Sequence, residues 1–142
     1  MVYPNIWGCR MLFEIRIGEE VKKEYIVVDE DCPDFLKDKN ICVMSTPRMI
    51  ALMEITAKEL LDKFLDQEHT SVGFHIDVHH KAPAPVGSKL VFIARVIDVK
   101  KNKVVFRVEC LMGEVIVGEG IHERAIVSWS KFAENVKKYL TK

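Results

Sequence analysis

Ser45-Thr46-Pro47-Arg48-Met49-Ile50-Ala51-Leu52-Met53-Glu54 begins an apolar pattern that runs at helical spacing to about Leu65. Thr46 is the expected N-cap, its hydroxyl accepting from a first-turn backbone N–H. Pro47 suits the first helical position, where a missing N–H forfeits no hydrogen bond. Met49, Ile50, Leu52, Met53, Thr56, Ala57, Leu60, Leu61 and Phe64 cover a broad face, so the pattern predicts a central helix packed against a sheet. Glu54 is out of place on such a face. It lies about two turns beyond Thr46 and roughly 80° around the axis, so both are expected to border one cavity. The plainer alternative is that Thr46 only caps the helix and Glu54 only flanks it.

Working outward, 142 residues make one domain, 1–142, with enough chain for a core that needs no disulfide or metal. Lys plus Arg equals Asp plus Glu at 21 each, so no charge bias points to nucleic acid. Cys9, Cys32, Cys42 and Cys110 form no C-x-x-C pair, and four free thiols in a reducing compartment are expected. No basic segment followed by an apolar run opens the chain, and no apolar stretch approaches a membrane span. A cytoplasmic location, away from membranes, is the expectation.

Residues 1–11, with Pro4 and Gly8, read as a loose arm. Leu12–Gly18 and Val21–Val28 read as two strands, or one interrupted at Gly18. Asp29–Asn40 reads as a loop or short helix, without the glycine-centred spacing of a calcium loop. After the helix, Thr70–His80 alternates with period two. Val72, Phe74, Ile76, Val78 and His80 form an inward row, and Ser71, Gly73, His75, Asp77 and His79 an outward one. Ser88–Val99 and Val104–Met112 make a hairpin around Lys101-Asn102-Lys103, and Val115–Val127 follows, bent or closely approached at Gly118 and Gly120. A short helix over 130–140 docks by Phe132, Val136 and Leu140. The order favours an α+β fold, an antiparallel sheet curled around one long helix.

Thr46, Glu54 and His80 are the candidate catalytic set. Glu54 offers a general base or nucleophile, His80 a proton carrier, and Thr46 with the helix start a site for developing negative charge. His80 is equally readable as a satisfied core histidine. His75, Asp77 and His79 offer rival metal ligands, although a polar row at a dimer edge accounts for them with fewer assumptions.

The residues then carry a resemblance. Thr46, Met49 and Leu52-Met53-Glu54, Thr70-Ser71-Val72-Gly73, Asp77-Val78-His79-His80, Ala84-Pro85-Val86-Gly87, Phe106-Arg107-Val108-Glu109 and Gly120-Ile121-His122-Glu123-Arg124-Ala125 follow one another as in the hotdog-fold acyl-CoA thioesterases. They resemble the branch that includes fluoroacetyl-CoA thioesterase, from about Arg16 to Phe132. The resemblance implies a hotdog fold, hydrolysis of a small acyl-CoA thioester, a catalytic set of Thr46, Glu54 and His80, and Gly73 and Arg124 near the acyl group. It also implies a homodimer paired edge to edge through the strand around Gly73–His79. The single long helix, the strand order and the polar row themselves point to a homodimer, with assembly into a tetramer open, and no cofactor or metal is expected from the residues. A non-catalytic acyl-CoA-binding module and a hotdog dehydratase are the alternatives. One departure concerns Phe35–Cys42, which carries Lys37, Asp38, Lys39 and Asn40 where the fluoroacetyl specialist has an aromatic lid. That departure points to a broader or different short acyl substrate.

Overall fold

The computed structural model describes residues 14–140, so the expected arm at 1–11 lies outside the described residues. Five strands form one antiparallel sheet: β1 (Glu20–Ile26), β2 (His69–His80), β3 (Lys89–Lys100), β4 (Lys103–Met112) and β5 (Val115–Ser128). Their order is β1-β3-β4-β5-β2, which leaves β1 and β2 as edges. The chain also forms α1 (Asp34–Lys37), α2 (Thr46–Asp62) and α3 (Trp129–Leu140). Among the described residues, no helix is long and apolar enough to cross a membrane.

Helix α2 packs on one face of the sheet and touches all five strands. Its Met49, Leu52, Met53, Ala57, Leu60 and Leu61 are buried against Leu90, Phe92, Phe106, Val108 and Ile126. Each such large apolar side chain contributes about 1.5–3 kcal/mol on burial, so this face holds the helix far more firmly than its local propensities do. The helix stops at Asp62, three residues before the expected end. Gly118 and Gly120 are sites of close approach: a Cβ at Gly118 would overlap the Met49 side chain, and one at Gly120 the backbone of Asp77 and Val78.

Several expectations need correction. Ser45, not Thr46, is the N-cap, because its backbone is still extended and its Oγ accepts from Arg48 N at 3.2 Å, while Thr46 has already turned helical. That shift leaves the Thr46 hydroxyl for another partner. The inward row of β2 is also revised. Gly73 pairs with Arg124 and His75 with the very next residue, Glu123, so Phe74 is an extra residue that breaks the alternation. Ile76, Val78 and His80 keep their expected side, but Ser71 and Gly73 share the Arg124 side and Phe74 is 48% exposed.

Cys32 and Cys42 are joined as a disulfide, where four free thiols were expected; Cys110 is buried with a free thiol. The bond closes the segment that contains α1. Glu14–Arg16 is not a strand, and β1 begins only after the turn at Gly18, whose φ of 101° suits a residue without a Cβ. Helix α3 has no buried residue, so its Phe132, Val136 and Leu140 stripe is not docked in the single chain.

Candidate active site

Chain geometry at the start of α2 sets Thr46 against the last residue of β2. With Ser45 providing the cap, Thr46 Oγ1 lies 2.7 Å from His80 Nδ1. The opposite ring nitrogen, His80 Nε2, is buried and has no hydrogen-bond partner among the described residues. An unpartnered buried nitrogen is costly, and such groups are retained where chemistry uses them. Beside the pair is a cavity of about 720 Å³, lined by apolar Pro33, Phe35, Leu36, Val43, Met44 and Pro83 together with Thr46, His80 and Lys81. The first turn of α2 points its partial positive charge at the same place. A second cavity of about 800 Å³ lies against Ile41, Cys42 and Val86, with neither an imidazole nor a hydroxyl in its wall.

A network around the buried Asp31 ties down this helix start. Asp31, 2% exposed, accepts from Tyr25 Oη at 2.7 Å, Val28 N at 2.9 Å and Arg48 Nε at 2.8 Å. Its carbonyl accepts from Ser45 N at 2.9 Å. Burial alone would raise the Asp31 pKa, but the Val28, Tyr25 and Arg48 hydrogen bonds outweigh it and hold the carboxyl below its ordinary value. Ser45 and Arg48, which bracket Thr46, are thus both held by Asp31.

Glu54 belongs to a different group. Its Oε2 and the Nη1 of Arg124 both stand within 3.4 Å of the point a Cβ on Gly73 would occupy, and His122 Cε1 is 2.9 Å from it. Arg124, 5% exposed, donates from Nε to Ser71 Oγ at 2.8 Å and from Nη2 to Ser71 O at 2.9 Å. Nη1 of Arg124 is 3.2 Å from His122 Nε2, and His122 Nδ1 is 2.8 Å from the carbonyl of His75. Burial lowers the pKa of both His122 and Arg124, and the Glu54 carboxylate opposes the shift in each.

The five expected site residues thus fall into two sets in one chain: Thr46 with His80, and Glu54 with Gly73 and Arg124. The shared cavity expected for Thr46 and Glu54 is not formed, because Glu54 does not line it. Among the described residues, no hydrogen bond joins Glu54 to Thr46 or His80. Eight residues of helix separate Thr46 from Glu54 by about 12 Å along the axis, which an angular projection conceals. His122, Ser71 and Asp31 were not singled out from sequence. The period of β5 could have marked His122, since it shares a face with Arg124 and buried Ile126. His75, Asp77 and His79 are exposed on the edge strand, and no three His, Cys, Asp or Glu residues among those described could hold a metal ion.

Comparison with known proteins bears on both sets. Residues 27–130 match the profile of the family described as fluoroacetyl-CoA-specific thioesterase. The chain is 26% identical over 132 residues to the fluoroacetyl-CoA thioesterase of Streptantibioticus cattleyicolor, covering 87% of this chain and 94% of that protein. A solved structure of a fluoroacetyl-CoA thioesterase superposes with a TM-score of 0.79 at 26% identity, over 87% of this chain and 96% of the other. A hot-dog-like protein from Thermanaerovibrio acidaminovorans gives a TM-score of 0.80 at 28% identity, over 87% and 91%.

Proposed function

Because this chain belongs to the hotdog-fold acyl-CoA thioesterases, in the fluoroacetyl-CoA thioesterase-like branch, we propose that it hydrolyses a small acyl-CoA thioester to the free acid and CoA. The observation that carries the reading is the 2.7 Å Thr46–His80 pair at a helix start beside an apolar cavity. The thioester carbonyl lies at Thr46, where the hydroxyl and the helix start stabilise charge as the carbon becomes tetrahedral. Glu54 attacks that carbon directly, giving a mixed anhydride that water then hydrolyses to the free acid and the regenerated carboxylate, or takes a proton from a water that attacks instead. As the C–S bond breaks, the departing thiolate takes its proton from His80. Gly73 and Arg124 flank the acyl group on the Glu54 side.

The two sets of residues meet through a dimer. Pairing two β2 edges antiparallel brings the His80 end of one strand toward the Gly73 end of the other. Thr46 and His80 then approach the partner's Glu54 and Arg124. The exposed row of His75, Asp77 and His79 supports that edge as an interface rather than a bare one. In this reading the protein is a single cytoplasmic domain, its sheet curls around α2, and its dimer is closed or doubled into a tetramer. The charged segment from Lys37 to Asn40 and the walls supplied by Phe35 and Leu36 favour a short acyl group other than fluoroacetyl as the main substrate.

A panel of acyl-CoAs assayed for released thiol tests the reaction. CoA release depleted in both Glu54→Gln and His80→Ala is the expected result. Tight binding of acyl-CoAs with no turnover at any chain length would instead make the protein a binding module. A solution mass of one chain at micromolar concentration would remove the dimer.

A further inference from the structure

His122 is almost fully buried, 1% exposed, in the middle of β5, and its ring stacks on Phe106 from β4 with centroids 6.3 Å apart. An apolar residue would fill such a site more simply, so its two hydrogen bonds need explaining. The His75 carbonyl can only accept, so Nδ1 carries the ring proton. Arg124 can only donate, so Nε2 must present its lone pair. Both partners therefore demand the same neutral tautomer. A second proton on the ring would set an N–H against the guanidinium and break the Arg124 contact. The charged groups around the ring are Arg124 on β5, Glu54 on α2 and His75 on β2, while β4 contributes the apolar Phe106.

We infer that His122 is a positioning residue for the hydrolysis, a neutral imidazole that fixes the Arg124 guanidinium so that it faces Glu54 across the slot left by Gly73. The inference rests on the hydrolase reading. Ser71 holds one side of the guanidinium and His122 holds Nη1, the nitrogen nearest the Gly73 slot that Glu54 also borders. Without His122 that nitrogen loses its only side-chain acceptor among the described residues, and the Arg124–Glu54 geometry is free to drift. A Cβ at Gly73 would overlap His122, crowd Arg124 and come into contact with Glu54. The burial that disfavours imidazolium protects the neutral form as pH falls.

Two measurements test this. In kinetics, His122→Gln and His122→Leu should lower kcat by tenfold to roughly a hundredfold with KM within about twofold, the loss expected when a reacting group is misplaced. The acid limb that His122 protonation adds to the wild-type kcat profile should be missing from the Gln variant. Folded variants with unchanged kcat and an unchanged profile would overturn the inference. Independently of turnover, 15N NMR of the wild type should show His122 protonated on Nδ1 and neutral at pH 7, with its titration moved further down in Glu54→Gln. A proton on Nε2, or a titration indifferent to Glu54→Gln, would overturn it too. If wild type released CoA from no acyl-CoA, the hydrolase reading would fail, and the NMR result would still decide whether His122, Arg124 and Glu54 are coupled.

Discussion

The start of α2 and its middle handle polar groups in opposite ways. At the start, Thr46 is exposed and its hydroxyl meets His80 beside an open apolar cavity. At the middle, Arg124, His122 and Ser71 are buried, and Glu54 reaches that group from a half-buried position. Hydroxyl and imidazole protons exchange most readily where substrate and water can enter. A charge meant to orient another charge works best where water is excluded, because the lower effective dielectric lets it act over a longer distance. The difference teaches that one helix can hold an exposed hydroxyl–imidazole pair and border a buried guanidinium–imidazole group about two turns away.

Breaking the buried side should cost most. Arg124→Met orphans Ser71 Oγ, Ser71 O and His122 Nε2, and a loss of about 3 kcal/mol in urea unfolding is expected, accompanied by loss of turnover. A variant as stable as the parent would mean that those acceptors already reach water. Breaking the open side should separate activity from stability. Thr46→Ala is expected to slow turnover by on the order of a hundredfold, near 3 kcal/mol in the barrier. Its unfolding free energy should move by less than about 0.5 kcal/mol, since the cap lies at Ser45. Thr46→Ser should retain most activity, and equal kcat/KM in wild type and Thr46→Ala would reduce Thr46 to a bystander.

The base under the helix start ranks next. Asp31→Asn should cost about 2 kcal/mol, because charge-assisted hydrogen bonds from Arg48 and Tyr25 become neutral ones. The Asp31 carboxyl is held below its unfolded pKa in the folded protein, so its contribution is complete above the unfolded value, near pH 4, and is lost as pH falls through the folded one. Acid titration of stability should be shallower in the variant below about pH 4, and parallel curves would remove Asp31 from the acid response. Ser45→Ala should show the smallest effect, about 1 kcal/mol of stability with activity per folded molecule unchanged. If instead it lost activity like Thr46→Ala, cap and site would not be separable.

Much of this was legible in the residues. The broad apolar face of α2 and the Lys101-Asn102-Lys103 turn reveal helix and hairpin because each rests on local periodicity or local turn chemistry. Ser45 and Thr46 are adjacent and both fit a cap, so only the backbone geometry separates them. Phe74 hid the bulge because an apolar residue fits the alternation it interrupts. Thr46, Glu54, His80, Gly73 and Arg124 were legible as candidates for a site. Their division was not, because a helical projection records angle and discards distance along the axis. Cys32 and Cys42 lie ten residues apart in no recognisable motif, so their bond depends on how α1 folds the chain back.

The extra residue in β2 also changes what the gene can lose. Deleting a residue within a regular strand reverses every side chain beyond it, and such frame-preserving deletions are ordinarily purged. Phe74 is the exception. Gly73 and His75 already pair with consecutive residues of β5, so removing Phe74 would leave Gly73 and Ile76 two positions apart on the same face. Every other residue of the strand would keep its orientation, and the deletion would forfeit only the exposed ring and its contact with Lys103. A single-codon gap at this position is thus the length change that β2 is built to absorb, and the same codon deleted at Asp77 would turn Gly73 and His80 to opposite faces.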